Sequence, residues 1–426
     1  MPATKRHVEV CLGRQATPVG TLTYARDLRR EYSAFVYADS WLAHTDGFAV
    51  SADLPLVSGY QTHRGRSGRD SVFAGALADT EPDAWGRRVV ARDHAKRRSA
   101  GADLAPLDEL DYLLAVDDFS RLGALRLRAD DGPFERTVEA GRRRTPPLFE
   151  LGAVLRASRL LELGEETLAD LAYLRGKGTS LGGMRPKCTL IDEDGSLALG
   201  KFPSMGDTHS VTRAEVLALR LASRAGIDVP DARVVVVEGT PVAVIRRFDR
   251  VEDARIPYQS AASLLQAGRD EERSYVEIAE AIRVVGANPA EDIRQLWRRM
   301  VFNLLITNVD DHLRNCGFLH ARHGQWRLAP AFDLNPFPDK RPESKTWLSQ
   351  DDGPVTGIAQ VIARADHFGL NLTQARQALA EVVTSVRAWR TVAGEAGVGL
   401  SPTDIDDLVP AFEHSRLVEA CRLLDF

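Results

Sequence analysis

Seven apolar residues, Ile293, Leu296, Trp297, Met300, Val301, Leu304 and Leu305, recur at intervals of three and four near the middle of the chain's second half. That spacing places them on one stripe of an α-helix, and such a stripe needs a surface to bury against. It predicts a helix over 291–307, followed at once by ITNVDDHLRN (306–315). A packed helix is a rigid support, so a loop at its end can hold polar groups in fixed positions. This loop carries Asp310, Asp311, His312 and Asn315. Composition alone leaves two readings open, a catalytic loop or an ordinary solvated turn.

The next segment, CGFLHARHGQWRLAPAFDLNP (316–336), reads as strand, glycine turn, strand and an apolar run broken by Asp333. A carboxylate at the end of a hairpin returns toward the loop where the hairpin began, so Asp310 and Asp333 are expected to face one cleft. Magnesium takes one or two carboxylates together with phosphate oxygens and waters. Asn315 and Asp333 suit that role and leave Asp310 for an acceptor hydroxyl.

Upstream lies GKGTSLGGMRPK (176–187), with glycines at 176, 178, 182 and 183 that let backbone N–H groups approach phosphate oxygens. It fits neither the P-loop nor the dinucleotide fingerprint. It is followed by a hairpin expected over 188–202 around DEDG (192–195), with Lys201 in its second strand, and by a helix over 211–225 carrying Glu215. Glycine loop, strand lysine and helix glutamate is the order in which protein kinases hold nucleotide phosphates and fix the lysine. The alternative for Glu215 is a solvent-facing helical charge. Only seven of the 55 basic residues are lysines, at 5, 96, 177, 187, 201, 340 and 345. Where a plain positive charge suffices this chain uses Arg, so the three lysines between 177 and 201 draw notice, since Arg does not replace Lys freely at a phosphate.

The rest of the chain predicts a frame for these segments. Strands are expected over 7–13, 19–24 and 34–42, an exposed loop over 59–70, helices over 74–97 and 107–116, and a strand over 122–128. Residues 129–147 lose apolar period and gain charge and proline, as a linker does. Helices over 149–174 and strands over 232–237 and 241–247 complete an α/β unit, and further helices follow at 259–268, 274–286, 355–367, 372–396 and 402–424. Three domains result, 1–130, 148–250 and 251–426. A net charge of -5 argues against a chain whose whole surface binds nucleic acid. Four dispersed cysteines suggest neither disulfides nor zinc. No apolar run reaches the roughly 18 residues of a membrane helix, and the N-terminus lacks a secretory pattern, so the cytoplasm is expected. His209, His320 and His323 read as surface histidines, and Trp41, Trp85, Trp297 and Trp326 as packing residues.

TSLGGMRPK (179–187), GKF (200–202), RFDR (247–250), NVDDHLRN (308–315) and LAPAFDLNP (328–336), in this order, resemble the HipA-like serine/threonine kinase toxins of type II toxin–antitoxin systems. GTLTYARD (20–27), ADLPL (52–56) and FSRLGALRLR (119–128) extend the resemblance toward the N-terminus. It implies an α+β, bilobal, protein-kinase-like fold with a mixed α/β N-terminal lobe, an extra small β-rich subdomain and an all-helical C-terminal lobe. It implies ATP and Mg2+ as cofactors. Asp310 matches the catalytic aspartate, Asn315 and Asp333 the magnesium ligands, and Lys201 the phosphate-binding lysine, with Glu215 as its partner. Gly182, Gly183, Met184, Arg185, Pro186 and Lys187 match the loop over the phosphates, and Ser180 an autophosphorylated serine. Arg246, Arg247 and Phe248 fall at the adenine-contacting hinge, where Arg246 departs from an often acidic position. His312, Leu313, Arg314 and Phe332 flank the nucleotide.

The resemblance also implies a protein substrate such as an aminoacyl-tRNA synthetase and a small DNA-binding antitoxin of the HipB type. DNA would be met only through that antitoxin, and the kinase would act as monomer or dimer away from membranes. Two rival readings are a catalytically silent binding module of the same fold, and a metal hydrolase centred on Asp310, Asp311, His312 and Asp333.

Overall fold

The computed structural model describes residues 4–27, 30–65, 67, 70–129, 134, 150–177 and 185–425. The chain forms two units, one of Met1–Met205 with Asp249–Gln259, the other of Gly206–Phe248 with Ser260–Phe426. This division falls inside the segment 148–250 expected as one domain.

In the first unit, β1 (Thr4–Leu12), β2 (Thr17–Asp27), β3 (Arg30–Tyr37), β4 (Gln61–His63) and β5 (Leu125–Ala129) form an antiparallel sheet in the order β4-β3-β2-β1-β5. Val8, Val10, Leu22 and Leu127 are buried against it, as the alternation of their strands requires. The expected strand over 34–42 stops at Tyr37, and Asp39–Leu42 is a helical turn. The expected loop over 59–70 includes the edge strand β4. The expected helix over 74–97 is broken by Glu81-Pro82-Asp83 into a turn, Gly75–Ala78, and α1 (Ala84–Ser99). Proline cannot continue the first piece, and the Asp83 side chain caps the second by accepting from Gly86 N at 2.7 Å. Then come α2 (Glu109–Ala115), opened by an Asp108/Asp111 capping box, α3 (Leu151–Leu163) and α4 (Leu168–Lys177), which packs on α1 and α3. The hairpin of β6 (Lys187–Ile191) and β7 (Leu197–Lys201) forms where DEDG predicted it.

Asp249–Gln259 rejoins this unit through the RFDR and FSRLG segments. The Asp249 carboxylate accepts from Gly123 N at 2.7 Å, and the Arg250 guanidinium donates to the carbonyls of Arg121 at 2.7 Å and Gly123 at 2.9 Å. Gly123 has φ +72, and a Cβ there would press on Tyr258 at 3.1 Å, so glycine is required. Arg126 and Arg255 share the buried Asp118.

The second unit opens with α5 (Val211–Arg224), packed on the hairpin of β8 (Ala232–Val237) and β9 (Thr240–Arg246). There follow α6 (Tyr275–Val285), α7 (Pro289–Leu305), the hairpin of β10 (Gly317–Arg322) and β11 (Gln325–Leu328), and β12 (Trp347–Ser349). Helices α8 (Leu372–Arg387), α9 (Trp389–Ala393), α10 (Pro402–Phe412) and α11 (Ser415–Leu424) close the chain. All seven stripe residues of α7 are buried. The C-terminal part is therefore mainly helical, with the β10–β11 hairpin and the short β12 pairing set among its helices. The segment 206–246 belongs here because α5 packs on α8 and α9, with Ser385 Oγ donating to Leu221 O at 2.6 Å and Arg224 paired with Glu395 at 2.7 Å.

His320 is half-buried, not a surface residue. Its ring meets Trp326 edge-on at 5.5 Å, and its Nε2 accepts from Gly324 N at 3.2 Å. Trp41, Trp85, Trp297 and Trp326 are buried packing residues, and all four cysteines are free. Among the described residues no helix is long and apolar enough to cross a membrane.

Candidate functional site

The residues singled out in the sequence fall in both units. In the first, Ser180, Gly182, Gly183 and Met184 lie outside the described residues. Arg185 is half-exposed, and Pro186 is buried, its carbonyl accepting from Phe202 N at 2.9 Å. Lys187, expected over the nucleotide, is 2% exposed, and its ammonium lies 2.9 Å from an Asp83 oxygen. The other oxygen of that carboxylate caps α1, so a buried charge pair ties the end of the glycine loop to a helix N-terminus. Lys201 ends β7 and is 8% exposed.

In the second unit, Glu215 on α5 is 2% exposed, which removes the solvent-facing reading. Arg246 is exposed at the end of β9, with Arg247 and Phe248 half-buried after it. The rings of Phe248 and Phe332 are in contact at 5.4 Å, so the expected hinge and the approach to Asp333 share an apolar wall.

The loop after α7 is organised from beneath by a buried polar chain. Asn308 Nδ2 donates to Asn303 Oδ1 at 3.0 Å, Asn303 Nδ2 to the Tyr275 hydroxyl at 3.4 Å, and that hydroxyl to Asp311 Oδ2 at 2.6 Å. Asp311 Oδ1 accepts from Lys345 N at 2.6 Å, and the Asp311 carbonyl accepts from Thr346 Oγ1 at 2.6 Å. Burial pushes the Asp311 carboxyl up to about 6 despite these donors. Burial next to its carboxylate likewise holds the Tyr275 phenol well above its ordinary value. Thr307, at φ 53, fixes the turn out of α7 by donating to Ala411 O at 2.9 Å.

Asp310 sits on this base with its side chain 37% exposed. Its amide faces Asn308 Oδ1 at 3.4 Å, its carbonyl accepts from Asn315 Nδ2 at 2.9 Å, and its carboxylate pairs with the Lys345 ammonium. Leu313–Asn315 is a short 3-10 turn closed by Asn315 N donating to His312 O at 2.8 Å. Burial lowers the His312 imidazole from its ordinary value, and the charges of Asp310, Lys345, Asp333 and Arg314 all act on it. Asp333 stands at φ 56, a left-handed conformation unusual outside glycine, and Asn335 Nδ2 donates to its Oδ1 at 3.2 Å.

Asn315 and Asp333 carry an amide and a carboxylate oxygen, donor types that a hard divalent cation takes. With its Nδ2 committed to the Asp310 carbonyl, the Asn315 amide presents its oxygen at the opposite end. Asp311 has both oxygens and its carbonyl engaged as a brace, which argues against the hydrolase reading. Sequence reasoning missed Tyr275, Asn303 and Lys345. For Lys345 a signal existed, the same scarcity of lysine that drew attention to 177–201.

Residues 179–390 match the model of the HipA-like C-terminal domain. Y4mE of Sinorhizobium fredii, named as a supposed kinase, is 30% identical over 395 residues, covering 86% of this chain and 81% of its own. A Haemophilus influenzae protein with a similar name is 28% identical over 188 residues, 38% of this chain and 55% of its own. Among solved structures, the Shewanella oneidensis toxin HipA, in complex with HipB and operator DNA, superposes with a TM-score of 0.68 at 16% identity over 98% of both chains. The α+β kinase-like fold, the ordered motifs and the near full-length relative agree, and this chain belongs to the HipA-like kinase family.

Proposed function

We propose that the protein is an ATP- and magnesium-dependent serine/threonine protein kinase of the HipA type. The observation that carries this reading is the unequal use of two adjacent aspartates: Asp311 is a buried brace, and Asp310 keeps a half-exposed carboxylate on a pinned main chain. A carboxylate held in this way suits a group that orients a hydroxyl and takes its proton. Asn315 and Asp333 would hold Mg2+, which when bound offsets the charge of the β- and γ-phosphates. Lys201 would meet the phosphates, and Phe248 and Phe332 offer an apolar wall for adenine.

In the reaction, the acceptor oxygen bonds to the γ-phosphorus as the bond to the bridging oxygen breaks, and the hydroxyl proton passes to Asp310. ADP leaves with the bond's electron pair. The acceptor is a protein Ser or Thr, with an aminoacyl-tRNA synthetase as the family's kind of target. Phosphorylation of Ser180 in the glycine loop would add about two negative charges beside the nucleotide phosphates and switch the enzyme off by repulsion. A small DNA-binding antitoxin is the matching partner, as HipB is for the Shewanella protein.

Incubation with labelled ATP tests the reading. Asp310→Ala is expected to abolish transfer while Mg-ATP still binds, Asp333→Ala to weaken Mg-ATP binding itself, and Ser180→Ala to lose the phosphoenzyme. Transfer by Asp310→Ala at the parent rate overturns it.

A further inference from the structure

Lys345 enters the site from a segment distant in sequence, and its backbone is fixed at several points. Its amide donates to Asp311 Oδ1 at 2.6 Å, Thr346 Oγ1 donates to the Asp311 carbonyl at 2.6 Å, and Trp347 N donates to Arg273 O at 2.9 Å. One residue earlier, Ser344 N donates to Val355 O at 3.1 Å, and Ser344 Oγ accepts from Val355 N at 2.7 Å. The side chain is 56% exposed and its ammonium lies on the Asp310 carboxylate. An exposed ion pair contributes little to stability by itself. What sets this one apart is its foundation: the carboxylate beside Asp310 in sequence holds the backbone of the lysine that pairs with Asp310.

We propose that Lys345 is a second phosphate-facing lysine, at the acceptor end of the site, which positions Asp310 and binds the phosphoryl group as it is transferred. The proposal rests on the kinase reading. An ammonium has three N–H donors in rotatable positions. One holds Asp310 at the angle from which it meets the acceptor hydroxyl, and the others, on a side chain 56% exposed, would take a phosphoryl oxygen. In a loose transition state, charge spreads over the three equatorial oxygens of the phosphoryl group, and a preorganised cation there stabilises that state more than the bound nucleotide. Lys345 remains protonated throughout, since the hydroxyl proton goes to Asp310. The choice of lysine agrees with a chain that has seven lysines among 55 basic residues. A compact point charge can serve a carboxylate and a phosphoryl group in turn, where a planar guanidinium imposes its own fork geometry.

The experiment compares the complete protein with Lys345→Met, Lys345→Arg and Asp310→Ala, reading the rate of labelled phosphate incorporation from Mg-ATP, the Mg-ATP dissociation constant and the urea midpoint. Lys345→Met is expected to lower the rate about 100-fold, the scale of removing one charge-stabilising donor. Its Mg-ATP affinity is expected to stay within about twofold and its urea midpoint unchanged, with Lys345→Arg recovering part of the rate. Transfer by Lys345→Met within threefold of the parent overturns the proposal. So does a rate loss matched by equal loss of nucleotide affinity or of stability, which would make Lys345 a structural residue. If parent and Asp310→Ala are alike inactive, the kinase reading itself fails and takes this one with it. If Asp310→Ala is dead while Lys345→Met is active, only the assignment of Lys345 falls.

Discussion

Asp310 and Asp311 are the same residue type in adjacent positions, and only their surroundings separate them. Asp311 is buried under Tyr275 and the amide of Lys345, and its carboxyl rises to about 6. A carboxyl that titrates higher in the fold than in the unfolded chain favours the fold fully below pH ~4, and that contribution is lost as pH rises through about 6. Asp311→Asn removes this dependence. The stability of the variant relative to the parent should therefore improve between pH 4 and 6, by up to ~3 kcal/mol, measured by urea unfolding at several pH values. Tyr275→Phe takes the donor from Asp311 and should cost ~1–3 kcal/mol at pH 7 in the same measurement. At this scale the sequence showed which side chains cluster in the loop, because NVDDHLRN is contiguous. It did not show which aspartate is buried, since that depends on Tyr275 and Lys345, each more than thirty residues away.

Elements with a strong local signal were legible. The stripe of α7 and the DEDG turn of the β6–β7 hairpin appear where periodicity and turn chemistry placed them. Elements whose ends depend on single side chains were not. The expected helix over 402–424 is two helices because His414 Nδ1 accepts from Arg416 N at 3.2 Å and caps a new start. The expected helix over 259–268 shrinks to Ala261–Leu264 behind the Ser260 cap. The Lys187–Asp83 pair joins β6 to the start of α1 and was equally invisible, its members 104 residues apart. Asp83→Asn keeps a cap oxygen and removes the charge, leaving a buried ammonium uncompensated. It should destabilise the protein by ~3–5 kcal/mol, whereas breaking the exposed Arg294–Glu291 pair with Glu291→Gln should cost less than ~1 kcal/mol.

In the β10–β11 hairpin, burial holds the His320 imidazole down at about 4, below its ordinary range. A histidine depressed in the fold contributes stability that is present above about pH 6.5 and lost as pH falls toward 4. Hydrogen exchange of the hairpin amides should therefore show easier opening at pH 5 than at pH 7, and His320→Phe should flatten that difference.

For the whole molecule, the expected boundaries at 130, 148 and 250 followed composition, and composition does not register a segment that returns. Asp249–Gln259 closes the first unit although 206–248 belongs to the second. Arg250→Ala would strip the carbonyls of Arg121 and Gly123 and take the Arg250 guanidinium from the buried Asp249. A loss of ~3–5 kcal/mol in denaturant unfolding is expected, on the scale of breaking a buried pair.

That returning strap has a consequence for synthesis. A ribosome delivers the chain from its N-terminus at ~5–20 residues per second. The first 205 residues emerge without the piece that pins Gly123 and Arg121, and 43 residues destined for the other unit must follow before the strap appears. During that interval an incomplete first unit shares the tunnel exit with an amphipathic helix, Val211–Arg224, whose packing partners α8 and α9 are still untranslated. Apolar surface left uncovered in that interval is what a chaperone would shield.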